Sequence, residues 1–465
     1  MKLFTDEPGD EGLPGLQRAA AMMALMMATV MVVFDGSVIN VALPTMATSL
    51  HVAPSVAVWF ANGYLLSVAM TLAIFAALAS RLGFRPIFLS GLTVFTLASI
   101  GCSLAPNAFA LIAMRVLQGL GGAAVVSIGP AILRSIFPNR LLGRILGLNA
   151  LLIAASTAIA PIIGGTMLDS WGWRWLFALN ILPGVAALLL AVRAIRVPQV
   201  PMREPFDALG GVLSAVLVGA LIMAADQATL PGDGWYALLA VAAGTAFVWR
   251  LRTAEKPLLP PAIFSSMRFS LAALTSMASF VGQGMTFVAL PFLFQNVYGY
   301  SASDTALLLM PWPIGIVLAA PYAGRFADRY SPALISTLGL IVLVAGLVLL
   351  ATLQSDPHVW DIALRCFVCG IGFGCFQSPN NREMLTNVAR ENSGYASGVL
   401  AIMRTFGQCL GTATVGILLA VSAKAGVGAV QQQAVQLSLW IAVGSTALAV
   451  LLSLGRVRAI PYRLA

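Results

Sequence analysis

Charge is scarce in this sequence. Only 9% of its 465 residues are Asp, Glu, Lys or Arg, against 59% hydrophobic, where a soluble protein carries about 25% charged residues. A soluble fold needs a polar skin, and this chain lacks the side chains to make one. That excludes most soluble enzymes, nucleic-acid binders and disordered tail proteins. Histidine is nearly absent: His51 and His358 stand far apart. Cys366 and Cys369 form a Cys-x-x-Cys inside an apolar run with no second pair, too few ligands for zinc. The remaining cysteines, Cys102, Cys375 and Cys409, suggest no disulfide framework. There is no Gly-x-x-x-x-Gly-Lys-Ser/Thr loop and no long soluble segment to carry one, which excludes an ATP-driven pump. The spaced glycines of CGIGFG follow no strand, so they do not make a dinucleotide loop. No catalytic cluster is expected, so the chain does not read as an enzyme and calls for no cofactor.

What the chain has is apolar length. Runs recur at residues 19–42, 56–80, 86–105, 108–134, 143–168, 174–194, 207–228, 235–251, 269–296, 303–326, 332–354, 358–381, 396–422 and 433–455. A helix needs about 20 apolar residues to cross a bilayer, so these are about 14 spans of an all-α polytopic membrane protein. Lipid satisfies no open strand edge, and a barrel would need shorter, alternating segments. The polar start, with Asp6, Glu7, Asp10 and Glu11 beside Pro8 and Pro14, reads as a disordered tail rather than a signal peptide.

The net charge of +9 does not indicate a nucleic-acid partner, because the charges sit in clusters between spans. Of the 26 Lys and Arg, Arg174, Arg365 and Lys424 fall on one side of the predicted topology and Arg115 falls inside a span. The rest, Arg404 among them, fall on the other side. The positive-inside rule then places both termini in the cytoplasm, with an even number of spans. The pair 207–228 and 235–251 separates two groups of six, flanked by polar linkers at 197–205 and 255–261. The expected division is a tail at 1–18, a six-helix bundle at 19–196, a linker with two extra helices at 197–265, a second bundle at 266–456 and a tail at 457–465.

Several motifs resemble those of a known family. FDGSVINVALP, with Asp35, Ser37, Asn40, Ala42, Leu43 and Pro44, resembles the first-span signature of the 14-span drug:proton antiporters of the major facilitator superfamily. RVLQGLGGA resembles the superfamily's fourth-span motif, with Arg115, Gln118, Gly119, Gly121 and Gly122 in place. SWGWRWLFALNILPG also resembles this branch. The fifth-span antiporter motif is partial: Pro161, Gly164 and Gly165 are kept, while Ser156 and Ala160 replace two glycines. The loop after the second span reads Ala76, Ser80, Arg81, Gly83, Phe84 and Arg85, without the family's acidic residue. Its counterpart in the second half keeps it, as Gly324, Asp328 and Arg329. Near-repetition at corresponding loops fits two related halves, as in many transporters.

The resemblance implies a major facilitator fold and a proton-coupled antiporter of the bacterial inner membrane. It would export lipophilic, cationic drugs, driven by the proton gradient without a cofactor. The expected partners are small-molecule substrates, protons and the lipid bilayer, with a monomeric carrier. The same coupling motifs would serve an exporter of a specific metabolite, such as an amino acid, sugar or siderophore-like compound, and a channel is the more distant alternative. Asp35 lies within the first span, where an ionised carboxylate is costly, so it is the expected proton carrier. A permanently paired, purely structural Asp is the plainer alternative. Arg115 stays charged and needs partners. The family implies that it assists proton transfer, but the sequence does not place it within reach of Asp35.

Pro161, Gly164 and Gly165 suit close helix approach and a bend. Asp328 and Arg329 are expected to clasp the halves near the start of the fifth span, around Gly143. The matching clasp lacks its acid at Ser80. Trp59, Tyr64, Gln283, Phe287, Trp312, Phe373, Phe376 and Gln377 lie at depths that suit a binding pocket, with ordinary packing as the alternative for each. Met22, Met23, Met26, Met27 and Met31 crowd the first span, where flexible thioethers would suit varied ligands.

Overall fold

An apolar run in lipid satisfies its own N–H and C=O groups only by closing them within a helix, and the long runs here do so. The computed structural model describes residues 12–195, 207–227, 234–255, 257–258, 261–354, 357–388, 393–424 and 429–458. The first residues of the N-terminal tail, the 197–205 linker and the last residues of the C-terminal tail lie outside them, as do the side chains of Ser80 and Gly143.

The first half comprises α1 (Gly15–Ser49), α2 (Pro54–Leu82), α3 (Phe84–Ser103), α4 (Ala108–Ile136), α5 (Asn139–Trp171), α6 (Arg174–Ala178) and α7 (Ile181–Ala194). A hairpin of α8 (Ala208–Gln227) and α9 (Trp235–Thr253) follows. The second half holds α10 (Met267–Phe292), α11 (Ala302–Leu309), α12 (Pro311–Arg329), α13 (Pro332–Ala351), α14 (Val359–Thr386), α15 (Ser393–Lys424) and α16 (Ala429–Arg458). Polar caps and prolines set several starts. Asn107 accepts the Ala110 N–H at 2.9 Å, Ser301 accepts that of Asp304 at 3.0 Å, and Pro54, Pro311 and Pro332 occupy first turns, where a missing N–H costs nothing.

Among the described residues, 13 stretches are long and apolar enough to cross a membrane. α6 with α7 makes one of them, and α11 with α12 another. α9 completes the set of 14. It is 19 residues long and carries Arg250 and Arg252 in its last turn, which lowers its apolar content, and it packs against α8. The result is two six-span bundles with two extra helices between them. An even number of crossings brings both chain ends to one face, here called the terminal face; the opposite one is the distal face.

The two bundles repeat one another. Val41, Ala42, Leu43 and Pro44 near the distal end of α1 recur as Val288, Ala289, Leu290 and Pro291 in α10. Both prolines sit inside their helices and remove a helical hydrogen bond there. α3 meets α4, and α13 meets α14, through glycine contacts. A Cβ on Gly121 would lie 2.5 Å from the Phe95 nitrogen, and one on Gly372 would lie 2.4 Å from that of Leu343. The halves meet where α2 packs on α15 and α5 on α11. On the distal side, Gln295 donates to the Val41 carbonyl at 2.8 Å and Ser303 N–H donates to Asp169 at 2.9 Å. α8 lies against both α2 and α15, with Ile222 buried against Cys409 and Ala413.

Candidate functional site

Four helices of the first half bring a set of polar side chains into the apolar interior. Asp35 of α1 is 1% exposed and pairs with Arg115 of α4, which is fully buried. The carboxylate also accepts from Gln118 Nε2 and Asn180 Nδ2, each at 3.0 Å. Asn180 occupies the N-cap of α7 without capping it; its amide serves Asp35 instead. Gln118 is oriented by a further bond to Ser99 Oγ at 2.9 Å, and its Oε1 accepts from Arg115 at 2.6 Å. Arg115 Nε donates to the Phe60 carbonyl at 2.7 Å. Two buried charges cost several kcal/mol each unless they are paired and hydrogen-bonded, and this network supplies the partners. Arg115 Nη2 alone has no acceptor, while the guanidinium lies over the rings of Tyr64 (4.6 Å) and Phe177 (5.5 Å).

Tyr64 separates this network from a central cavity of about 250 Å³ between the halves. Tyr64 lines the cavity; Asp35 and Arg115 do not. The fourth-span glycines make room for it. A Cβ on Gly119 would fall 2.5 Å from the Tyr64 carbonyl oxygen, and one on Gly122 would fall 2.8 Å from its hydroxyl. The cavity wall follows the internal repeat. Gly36, Ser37 and Asn40 of α1 face the space, and so do their counterparts Gln283, Gly284 and Phe287 of α10. Tyr64, Leu65 and Val68 of α2 correspond to Trp312, Pro313 and Ile316 of α12; Ile153, Thr157 and Pro161 of α5 correspond to Arg404, Gln408 and Thr412 of α15. Phe287 packs on Trp312 with ring centroids 5.1 Å apart, and Gln408 Nε2 donates to Gln283 Oε1 at 3.1 Å.

The structure therefore brings Asp35, Arg115 and Gln118 together, and separately brings Tyr64, Gln283, Phe287, Trp312, Asn40 and Pro161 to one cavity. It does not bring there Trp59, which packs at the α2–α15–α8 seam, or Phe373 and Phe376, which pack on each other behind the cavity. Gln377 is half-buried and Met23 is exposed; neither they nor the other first-span methionines line the cavity. Pro44 is buried within α1. Gly164 abuts Val38, and a Cβ on Gly165 would lie 2.7 Å from the Ala302 carbonyl oxygen, so this pair lets α5 press against both α1 and the other half. Gly324 faces Ser378. Asp328 pairs with Arg382 of α14 in its own half, rather than across to the start of α5, and Arg329 is exposed.

Three groups escaped the sequence reading. Ser99 and Asn180 complete the Asp35 network. Arg404, expected in a loop, lies inside α15 on the cavity wall. Arg456 of α16 is fully buried near the terminal face. Its Nη1 donates to Asn380 at 2.7 Å and Glu383 at 3.1 Å, and its Nη2 to Ser453 at 2.6 Å. The Val-Ala-Leu-Pro repeat was the available signal for the α1–α10 pair alone; the α2–α12 and α5–α15 pairs match in the spacing of their wall positions, which only the cavity reveals.

Two repeated bundles around a cavity, with a buried ion pair beside it, define a membrane carrier of small molecules. The chain belongs to the Major Facilitator Superfamily, whose family model matches residues 25–412; it is a transporter and not an enzyme. It is 39% identical over 414 residues to the uncharacterised transporter YebQ of Escherichia coli (strain K12), covering 88% of this chain and 91% of that one. It is 31% identical over 399 residues to the multidrug resistance protein Stp of Mycobacterium tuberculosis (strain CDC 1551 / Oshkosh), covering 84% and 74%. In fold it is similar to a bacterial homologue of the lysosomal transporter Spinster, in its inward-facing, unoccupied conformation. The TM-score is 0.68 at 15% identity, over 98% of both chains.

Proposed function

We propose that the protein is a proton-driven antiporter that exports lipophilic small molecules across the bacterial inner membrane by alternating access. Both chain ends face the cytoplasm and the carrier works as a monomer. The observation that carries this reading is the Asp35–Arg115 pair, held out of the cavity by Tyr64. A proton reaching Asp35 cancels its charge and releases the pull on Arg115. Arg115 keeps the Phe60 carbonyl and Gln118 as hydrogen-bond acceptors but loses its counter-charge, so protonation puts the closed arrangement of the network under strain. The proton thereby changes how α1, α4 and α7 hold together, and Tyr64 transmits that change to the cavity wall. The driving force is of adequate size: one charge crossing 100 mV gains about 2.3 kcal/mol, and a pH gradient adds to it.

In this reading proton and cargo occupy separate places and are coupled through conformation. Asp35→Asn keeps a hydrogen-bonding side chain but removes the titrating group. The purified variant in liposomes is expected to exchange labelled for unlabelled substrate while losing uphill export under an imposed pH gradient. Uphill export at the wild-type rate by Asp35→Asn would exclude Asp35 as the coupling site.

A further inference from the structure

The cavity wall has an uneven charge. Among the described residues that line it, Arg404 is the only charged one. It stands where the repeat places Ile153 in the other half. Arg404 makes no hydrogen bond or ion pair with the described residues. The nearest acid network cannot neutralise it, because the Asp35 charge is already balanced by Arg115 and set behind Tyr64.

Donors and acceptors are uneven too. Ser37, Thr157 and Thr412 line the cavity, but Ser37 and Thr157 spend their hydroxyl protons on their own helix carbonyls. Gln408 spends one amide N–H on Gln283 Oε1. Trp312 is fully buried, with an indole N–H that has no acceptor. A guanidinium held in a mostly apolar space is costly without a counter-charge, and its planar fork matches a carboxylate or another oxyanion. The surrounding wall, with Val68, Ile153, Phe287 and Trp312, suits an apolar body. A cation in this space would face the Arg404 charge with no acid on the wall to offset it.

We propose that the cavity selects amphipathic organic anions, with Arg404 holding the anionic end and the Phe287–Trp312 side holding the apolar body. This rests on the cavity being the transport site, and it replaces the cationic cargo that the family resemblance implies. It also assigns a specificity-determining residue that titration at Asp35 does not involve.

The test uses the full-length protein in nanodiscs and three probes that share one ring system: 9-anthracenecarboxylate, its primary amide and (9-anthracenylmethyl)trimethylammonium. Binding is read by probe fluorescence anisotropy. The carboxylate is expected to bind tightest. Arg404→Gln should weaken it by about ten-fold or more, the worth of one charged hydrogen-bonded contact, and weaken the amide far less; retained amide binding also reports that the cavity is intact. Arg404→Lys should retain most of the preference, and Arg404→Glu should shift it toward the ammonium. An ammonium that binds wild type as tightly as the carboxylate overturns the proposal. So does carboxylate affinity indifferent to Arg404→Gln, or no carboxylate binding at all. Export under a pH gradient is measured alongside. Arg404-dependent anion binding with export indifferent to the gradient would refute the coupling and leave the charge selection standing; gradient-driven export with Arg404-independent binding would do the reverse.

Discussion

Tyr64 is the residue on which the two sites converge. Its ring covers Arg115 on one side and forms cavity wall on the other, and its hydroxyl reaches only a long contact of 3.4 Å to the Val32 carbonyl. The ring should therefore matter more than the hydroxyl. Tyr64→Phe is expected to keep gradient-driven export. Tyr64→Leu should lower thermal stability by about 1–2 kcal/mol, the worth of a desolvated cation–π contact, and should let protons leak without cargo, measured as pH equilibration of empty proteoliposomes. At this scale Asp35 and Arg115 were legible because a charge inside an apolar run stands out, and Gln118 because it belongs to the fourth-span motif. Asn180 was not, since a neutral amide within an apolar run carries no charge to single it out. Arg404 was misplaced for a different reason. An arginine near the beginning of an apolar run reads as a membrane-face anchor, and only the folded helix shows that it is deep enough to face the cavity.

Elements repeat more faithfully than residues do. α1 matches α10, α2 matches α12 and α5 matches α15 along the cavity wall, while the chemistry differs at chosen positions: Asn40 against Phe287, Tyr64 against Trp312, Ile153 against Arg404. Asp35 itself corresponds to Gly282, so only one half carries the first-span acid. The second half buries its ion pair elsewhere, between Glu383 of α14 and Arg456 of α16. Span positions were legible from apolar length, because lipid permits little else. Helix contacts were not, because they depend on which glycine faces which neighbour. Gly165 is the clearest case, sitting where α5 meets the Ala302 carbonyl of the other half. Gly165→Val must push these backbones apart. Spin labels at Ser170 and Leu307 are expected to report a longer mean distance than in the wild type, together with slower export. An unchanged distance would show that α5 and α11 do not form a distal closure.

At the scale of the whole molecule, the two halves and the hairpin form one carrier in which a proton site and a cargo site are close but separate. The hairpin of α8 and α9 rests on the α2–α15 seam, away from the Asp35 network. The charge pattern that located both chain ends on one face belongs to this scale and depends on loops rather than on any single site. The sharpest measurement is proton release on ligand binding, recorded with the purified full-length protein in weakly buffered detergent solution and 9-anthracenecarboxylate as ligand. At a pH where unliganded wild type carries the exchangeable proton, ligand binding should release it, and Asp35→Asn should bind the same ligand without releasing one. Equal proton release by wild type and Asp35→Asn, or saturable binding with no release at any pH, would contradict an exchange of proton for cargo at Asp35.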